Sequence, residues 1–389
     1  MTGIVIIGGG VIGSSAAYHL ALAGAAADTV VVEPDPTYEH AATPRSVGGV
    51  RVQFSLPECI QMSQYGHEVY GAFDDLMTVD GDAPSLSLIR RGYLYMGGGP
   101  LDVRRLNQAA AIQREHGANI ELLDADEIRT RWPSIETHDV DVGSFSPGDA
   151  IIDPHGALMG FRKKASSLGV EYLKDRVVGL DTAARRVNEV VLESGRRLHP
   201  DVVINAANCW APDICAMVGM KIPVAPMRRM CFYYDCQTAI EDLPLMRHVS
   251  AGDGFRPEGS GYLTGISRYD EPRGFNWAVD YELFDDVLWP GLALRIKAFE
   301  AVKLQRAWSC HYDQNSLDAN MILDSWPGKL DNFYIACGLS GHGLQHAPAI
   351  GRALKELILD GEFQTLDLSR FGYQRVVENC PIEDISVLS

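Results

Sequence analysis

Apolar residues fall along this chain in three rhythms. The first is the short continuous run. Ile4–Ile7, Val30–Val32, Val202–Ala206 and Asn332–Cys337 read as strands buried on both faces, as in a parallel sheet. The second is helical spacing, over Ser14–Ala23, Pro57–Leu76, Asp102–His116, Gly156–Gly169 and His346–Asp360. In the last of these Ala347, Ile350, Leu354, Leu357 and Ile358 share one face, and Pro348 is expected in the first turn, where its missing N–H costs nothing. The third rhythm is alternation. It predicts strands over Ile89–Met96, Arg229–Asp235, Gly254–Pro257 and Gly261–Ile266, with a hairpin turn at Glu258–Gly261 and a helix over Asp280–Ala301. Glu171–Leu173, Val177–Asp181 and Val187–Leu192 add short strands.

The order of these rhythms predicts an α/β architecture. A Rossmann-like nucleotide-binding domain opens and closes the chain, and an antiparallel-sheet domain of α+β character is inserted between its parts. With 389 residues there is enough chain for two domains of roughly 100–200 residues each. The boundaries read from the pattern are 1–85, 146–220 and 325–389 for the discontinuous nucleotide domain, and 86–145 and 221–324 for the inserted one.

The chemistry begins at the first turn. Gly8, Gly10 and Gly13 follow the first strand with G-x-G-x-x-G spacing. The first allows a tight turn, the second lets backbone approach a pyrophosphate, and the third lets helix and strand pack closely. The helix that follows aims free N–H groups and its positive end at the phosphates. Glu33 ends the second strand, 20 residues after Gly13, where an acid can accept ribose hydroxyls. That acid disfavours a 2′-phosphate, which leaves NAD and FAD. The loop Ala41–Arg51 is small, glycine-rich and basic, and suits a second contact with a phosphate or an electron-rich ring.

Composition narrows the partners. Hydrophobic content of 46% and charged content of 22% are ordinary for a globular protein, and a net charge of −17 argues against nucleic acid or an anionic membrane surface. No apolar run approaches the ~18 residues of a membrane span. The eight cysteines at 59, 209, 215, 231, 236, 310, 337 and 380 show neither a C-x-x-C nor a zinc spacing, so no metal is expected. With the motif beginning at Gly3 and thiols of this kind, a cytoplasmic location is expected.

The chain closes as it opened, with a strand, a glycine turn and a helix, here Gly338–Gln345. Two helix N-termini facing one ligand suit a long cofactor with two electron-rich parts. The opening G-G-G-V-I-G, the R-S-V-G-G-V-R loop at Arg45–Arg51, the N-A-A-x-x-W-A at Asn205 and the G-L-S-G-H-G-L-Q run together resemble the D-amino-acid-oxidase-type flavoproteins. These include sarcosine and glycine oxidases and dimethylglycine dehydrogenase. The stretch Trp308–Asp318 is most similar to the branch of FAD-dependent oxidoreductase-domain proteins, some tied to assembly of a respiratory complex, and bacterial relatives acting on N-substituted amino acids.

The resemblance implies FAD. Gly8, Gly10, Val11, Ile12 and Gly13 would hold its ADP half, with Glu33 on the ribose. Arg45 and Ser46 match a phosphate-contacting loop, and Gly48, Gly49, Val50 and Arg51 would pass near the flavin. Val177 matches the backbone contact to adenine, and Ala206, Ala207 and Trp210 the turn near the middle of the cofactor. Gly341, Gly343 and Leu344 would bring a helix N-terminus to the flavin edge where reduced flavin carries negative charge. Cys310 aligns with a cysteine that some members attach to the flavin, so a packed thiol and a covalent link are both open. Gln345 and Leu263 stand where sarcosine oxidases carry lysines, for substrate carboxylate and for oxygen, so the electron acceptor is either oxygen or a separate partner.

The implied reaction is oxidation of the C–N bond of an N-substituted amino acid such as iminodiacetate or sarcosine, followed by imine hydrolysis. A substrate carboxylate calls for guanidinium groups. Arg51 and Arg256 are candidates, with His342, Gln345 and Tyr262, and more loosely Tyr93, Tyr95 and His248, as pocket groups. The alternatives are an FAD-binding assembly protein of a respiratory complex and an oxidase of D-amino acids or 2-hydroxy acids.

Overall fold

A computed structural model describes residues 3–250, 254–265 and 270–385. The strand Ile4–Ile7 lies inside a six-stranded sheet, between Thr29–Glu33 and Val202–Asn205, and is parallel to both. Glu171–Lys174 extends the sheet on one side and Leu330–Cys337 on the other, and only the edge strand Ile322–Trp326 runs antiparallel. The opening run is wholly apolar because neither face meets water. Ile4 and Ile6 pack with the first helix and the closing helix, while Val5 and Ile7 pack with the hairpin strands Val177–Ala183 and Arg186–Leu192.

The first helix, Val11–Leu20, starts immediately after the glycine turn, three residues earlier than its periodicity suggests. The closing helix Gly343–Leu359 packs along it. An added Cβ at Gly351 would come within 2.3 Å of the Ser15 hydroxyl, so glycine sets how closely the two helices approach. The Ser15 hydroxyl donates to the Ala347 carbonyl at 2.8 Å across the same contact.

The closing helix also begins before its expected start, and this moves Pro348 from the first turn into the helix interior. Pro348 has no N–H for the Leu344 carbonyl one turn back. The buried Tyr70 hydroxyl, from the helix Pro57–Gly71, donates to that carbonyl at 2.5 Å instead.

The second large sheet has eight strands, in the order 302–315, 224–236, 261–264, 254–258, 245–248, 93–97, 142–146, 121–123. It is antiparallel except where Leu245–His248 runs parallel to Tyr93–Gly97. Alternation along Val224–Cys236 divides its faces. Phe232 and Tyr234 enter an aromatic core with Phe284 and Phe299, while Arg229 and Cys231 point to the opposite side.

Three expectations need correction. Ile89–Met96 is two strands, because Gly92 takes φ +77° and breaks the run. Ile89–Arg90 joins a small sheet with Ala150–Ile151, and Tyr93 onward joins the large one. Asp280–Ala301 is not one helix: a widened turn at Leu283–Leu288 and the helix Trp289–Arg295 are followed by Ile296 in an extended conformation. The hairpin at Glu258–Gly261 forms, with Glu258 opposite Gly261, but its second strand ends at Thr264, and residue 266 lies outside the described residues.

Candidate active site

A cavity of about 590 Å³ runs from the first glycine turn to the last. Gly8, Gly10, Val11, Ile12 and Glu33 line one end, and Val177, Ala206, Ala207 and Trp210 line a side. Ser46, Gly48, Gly49, Gly341, Gly343, Leu344 and Gln345 line it further along.

The three opening glycines have different surroundings. Gly8 has φ +98°, and a Cβ there would lie 2.7 Å from the Ala206 carbonyl oxygen. A Cβ on Gly13 would lie 1.9 Å from the Gly8 carbonyl oxygen, so Gly13 serves helix–strand packing and is not on the cavity wall. A Cβ on Gly10 would meet no atom within 4 Å, so it would project into the cavity. This is a cradle left open for a ligand.

Glu33 is held by the backbone. Its carboxylate accepts from the Gly9 N–H at 2.8 Å and the Asp35 N–H at 2.9 Å, which fixes it at the cavity edge. Burial pushes its pKa up, against those two hydrogen bonds.

Other expected residues sit elsewhere. The Arg45 guanidinium donates to the carbonyls of Glu39 and Ser309, at 2.5 and 2.9 Å, and Arg45 is not on the cavity wall. Val50 pairs with Ala150 in the small sheet behind the wall. Tyr262 faces away from the site. It stacks on Tyr234 and packs edge-on against Phe255 and Phe299, because period-2 alternation turns its neighbour Leu263 toward the cavities instead. His248 lies 3.7 Å from Asp139.

Arg51, His342 and Gln345 come together as a cluster. The Arg51 backbone N–H donates to the Gln345 side-chain oxygen at 3.1 Å, and its guanidinium donates to the Gln53 carbonyl at 3.0 Å and lies 3.3 Å from the His342 ring. The guanidinium also covers the Phe54 ring at 4.3 Å. Burial, then Arg51 and then His346 hold His342 well below the ordinary histidine range, so it is neutral. Gln345 lines the cavity; Arg51 and His342 lie behind its wall.

A second, smaller cavity of about 100 Å³ adjoins the first, sharing Ser46, Val47 and Tyr312 with it. Arg229, Arg247, Arg256, Cys231, Cys310 and Tyr93 line it. Cys310 therefore sits here rather than on the large cavity. A hydrogen bond from Cys231, aided by Arg229 and Arg45, holds the Cys310 thiol below its usual range against its burial.

Sequence reasoning missed Arg229, Arg247, Tyr312 and Asp313. Tyr312 and Asp313 line the large cavity, and burial pushes the Asp313 carboxyl up to about 7 against a hydrogen bond from the Leu339 N–H. The signal available was alternation in the strand Val302–Asn315, which places Cys310 and Tyr312 on one face.

The motifs and this geometry meet in the comparison with known proteins. The pattern of the FAD-dependent oxidoreductases matches residues 3–357, and the chain belongs to that family. It is 35% identical over 427 residues to FAD-dependent oxidoreductase domain-containing protein 1 of Xenopus laevis, covering 99% of this chain and 84% of that one. It is 26% identical over 392 residues to a 4-methylaminobutanoate oxidase (formaldehyde-forming) of Paenarthrobacter nicotinovorans, covering 95% of this chain and 46% of that one. Among solved structures, an L-proline dehydrogenase from P. horikoshii superposes with a TM-score of 0.88 at 25% identity, covering 97% of this chain and 98% of that one. The protein is thus an FAD-dependent oxidoreductase of Rossmann type, and the long cavity with its glycine cradle suits that cofactor. Among the described residues no helix is long and apolar enough to cross a membrane.

Proposed function

We propose that the protein oxidises the C–N bond of a carboxylic acid bearing a secondary amine, such as iminodiacetate or sarcosine, to an imine that water hydrolyses. The observation that carries this reading is the small arginine-lined cavity opening beside the long cofactor cavity across Tyr312. Two similar proteins, named for 4-methylaminobutanoate and for L-proline, support it, because both compounds are carboxylic acids with a secondary amine.

Bound FAD would supply the two-electron acceptor for oxidation of the carbon next to nitrogen. The chain supplies the rest. Gly8, Gly10, Val11, Ile12 and Glu33 hold the ADP half, Ser46, Gly48 and Gly49 a central part, and Val177, Ala206, Ala207 and Trp210 the flank. The N-terminus of the helix Gly343–Leu359, with Gly341, Gly343 and Leu344, favours negative charge at the far end. Arg256 takes substrate carboxylate. The Arg51 backbone N–H fixes the position of Gln345 at the wall, and neutral His342 lies beside the Arg51 guanidinium. Residues 1–85, 146–220 and 325–389 form the cofactor domain, and 86–145 and 221–324 the substrate domain. The eight free thiols suit a reducing compartment such as the cytoplasm, with oxygen or a separate protein as electron acceptor.

The test is anaerobic mixing of the yellow holoprotein with a panel of secondary-amine acids, following loss of the visible flavin band. Bleaching by at least one amine, and by no 2-hydroxy acid, is the expected result. If no amine reduces the flavin, the reading fails. Readmitting oxygen then separates oxidase from dehydrogenase, and acid precipitation shows whether colour stays with Cys310.

A further inference from the structure

Residues 271–279 join the large antiparallel sheet to the rim of the long cavity. Hydrogen bonds tie this segment to the sheet. The Gly274 N–H donates to the Pro226 carbonyl and the Arg228 guanidinium to the Ala278 carbonyl, both at 2.8 Å. The Asn276 N–H donates to the His311 ring at 2.9 Å, and the Ser309 hydroxyl to the Trp277 carbonyl at 2.8 Å. These partners lie on the strands Val224–Cys236 and Val302–Asn315.

The rings of the segment reach the other way. Phe275 stacks on Trp210 with centres 5.0 Å apart, and Trp277 lies 4.4 Å from the His40 ring. Trp210 and His40 both line the long cavity, yet they come from separate stretches of chain, one after the strand Val202–Asn205 and the other after the strand Thr29–Glu33. Phe275 and Trp277 are nearly parallel, with planes 10° apart and centres 6.1 Å apart, so His40, Trp277, Phe275 and Trp210 form one row. His40 is exposed and Trp210 half-buried, which puts the row where the cavity wall meets solvent. Phe275 is 43% exposed, so its ring adds little to a core, and its stacking partner is the wall itself. Stacked rings attract one another, yet they part without breaking a hydrogen bond.

We propose that the segment 271–279 is a latch over the mouth of the cofactor cavity, with Phe275 and Trp277 as its clasps on Trp210 and His40, and that its opening admits and frees FAD. The cavity ends in a glycine turn on either side, so a cofactor as long as FAD passes through the side of the cavity rather than through an end. The latch rests on the assignment of the long cavity to FAD and is independent of the amine-oxidation reading.

The test measures both rates of FAD exchange in protein carrying Cys310→Ala, which precludes a covalent link. Release is followed as the rise in flavin fluorescence when excess ADP displaces FAD from the holoprotein, and entry as its quenching when FAD meets apoprotein. Phe275→Ala with Trp277→Ala is expected to accelerate release and entry at least about tenfold each, while the dissociation constant moves less than about threefold, because a gate acts on both directions. Phe275→Tyr with Trp277→Phe keeps the rings and should keep the parent rates. Release at the parent rate in the double alanine variant overturns the proposal. Faster release with unchanged entry overturns it too, since the rings would then be an ordinary part of the binding surface. Gly10→Val separates the two assignments: if it weakens FAD binding while the double alanine variant exchanges FAD at parent rates, the latch alone falls, and if it leaves FAD binding unchanged, the cavity assignment falls with it.

Discussion

At the scale of single residues, the glycines of the first turn separate folding from binding. Gly13 is packed against the Gly8 carbonyl, whereas Gly10 faces open space. Gly13→Ala is therefore expected to cost about 1–3 kcal/mol of stability, as overpacking does. Gly10→Val should leave the thermal midpoint of the apoprotein within about 2 °C of wild type while weakening FAD binding by about tenfold or more. Thermal melts of apoprotein and fluorescence titration with FAD check both, and equal effects of the two substitutions would contradict the division. Spacing in the sequence already distinguished these three glycines. It could not show that Arg45 is spent on carbonyls or that Tyr262 faces a core, because both outcomes depend on which strand lies alongside. Arg229 and Arg247 were hidden for the same reason: a charged residue in an alternating strand reads as solvent-facing until the opposite sheet face is known to border a cavity.

At the scale of elements, two helices are joined by a borrowed hydrogen bond. Pro348 leaves the Leu344 carbonyl without its helical donor, and Tyr70 fills the gap. Tyr70→Phe is expected to cost about 1–3 kcal/mol, because it strands a buried acceptor. In a Pro348→Ala background the same change should cost measurably less, since alanine at that position can supply an N–H; a double-mutant cycle in urea measures the coupling, and additivity would refute it. A second junction holds the chain's last segment. Arg375 donates to Asp318 at 3.0 Å and to the carbonyls of Phe371, Gly372 and Met321, and the Asp318 side chain is 1% exposed. Arg375→Ala should cost about 3–5 kcal/mol, since it removes the countercharge of a buried carboxylate that would keep only the N–H donors of Asn315, Asn320 and Ile382. The elements themselves were largely legible: the long apolar runs and the alternating strands fall where the pattern puts them. Failures came where a glycine with positive φ cut a run, at Gly92, and where helical spacing continued through an irregular segment, at residues 280–301.

At the scale of the molecule, buried histidines set the response to acid. Burial holds His19 and His311 near 4, His346 near 3 and His342 well below its ordinary range, so all four are neutral in the native protein. The unfolded chain protonates them below about pH 6.5, so it binds more protons than the native state and stability falls as pH drops. Asp313, raised to about 7, acts in the opposite sense, since its native form holds a proton that the unfolded form releases, and Glu33 shifts the same way. Four groups against two leave a net loss of stability toward acid between about pH 6 and pH 5. Urea midpoints measured across that interval check it, and a constant or rising midpoint toward acid would show the balance to be wrong.

The parallel sheet also dictates a timetable for synthesis. Ile4–Ile7 emerges first, yet its neighbour Val202–Asn205 follows some two hundred residues later, and Leu330–Cys337, one strand further out, follows later still. The first helix must wait for the closing helix to cover it. A growing chain therefore carries an exposed apolar edge until those strands arrive, the situation in which long-range sheets are slow to form and prone to aggregate. Because the cofactor cavity needs Gly341–Gln345 as a wall, FAD can be captured in full only after that segment has been made. Flavin supply at that late moment, more than the rate of synthesis, should govern how much of the protein reaches its native state.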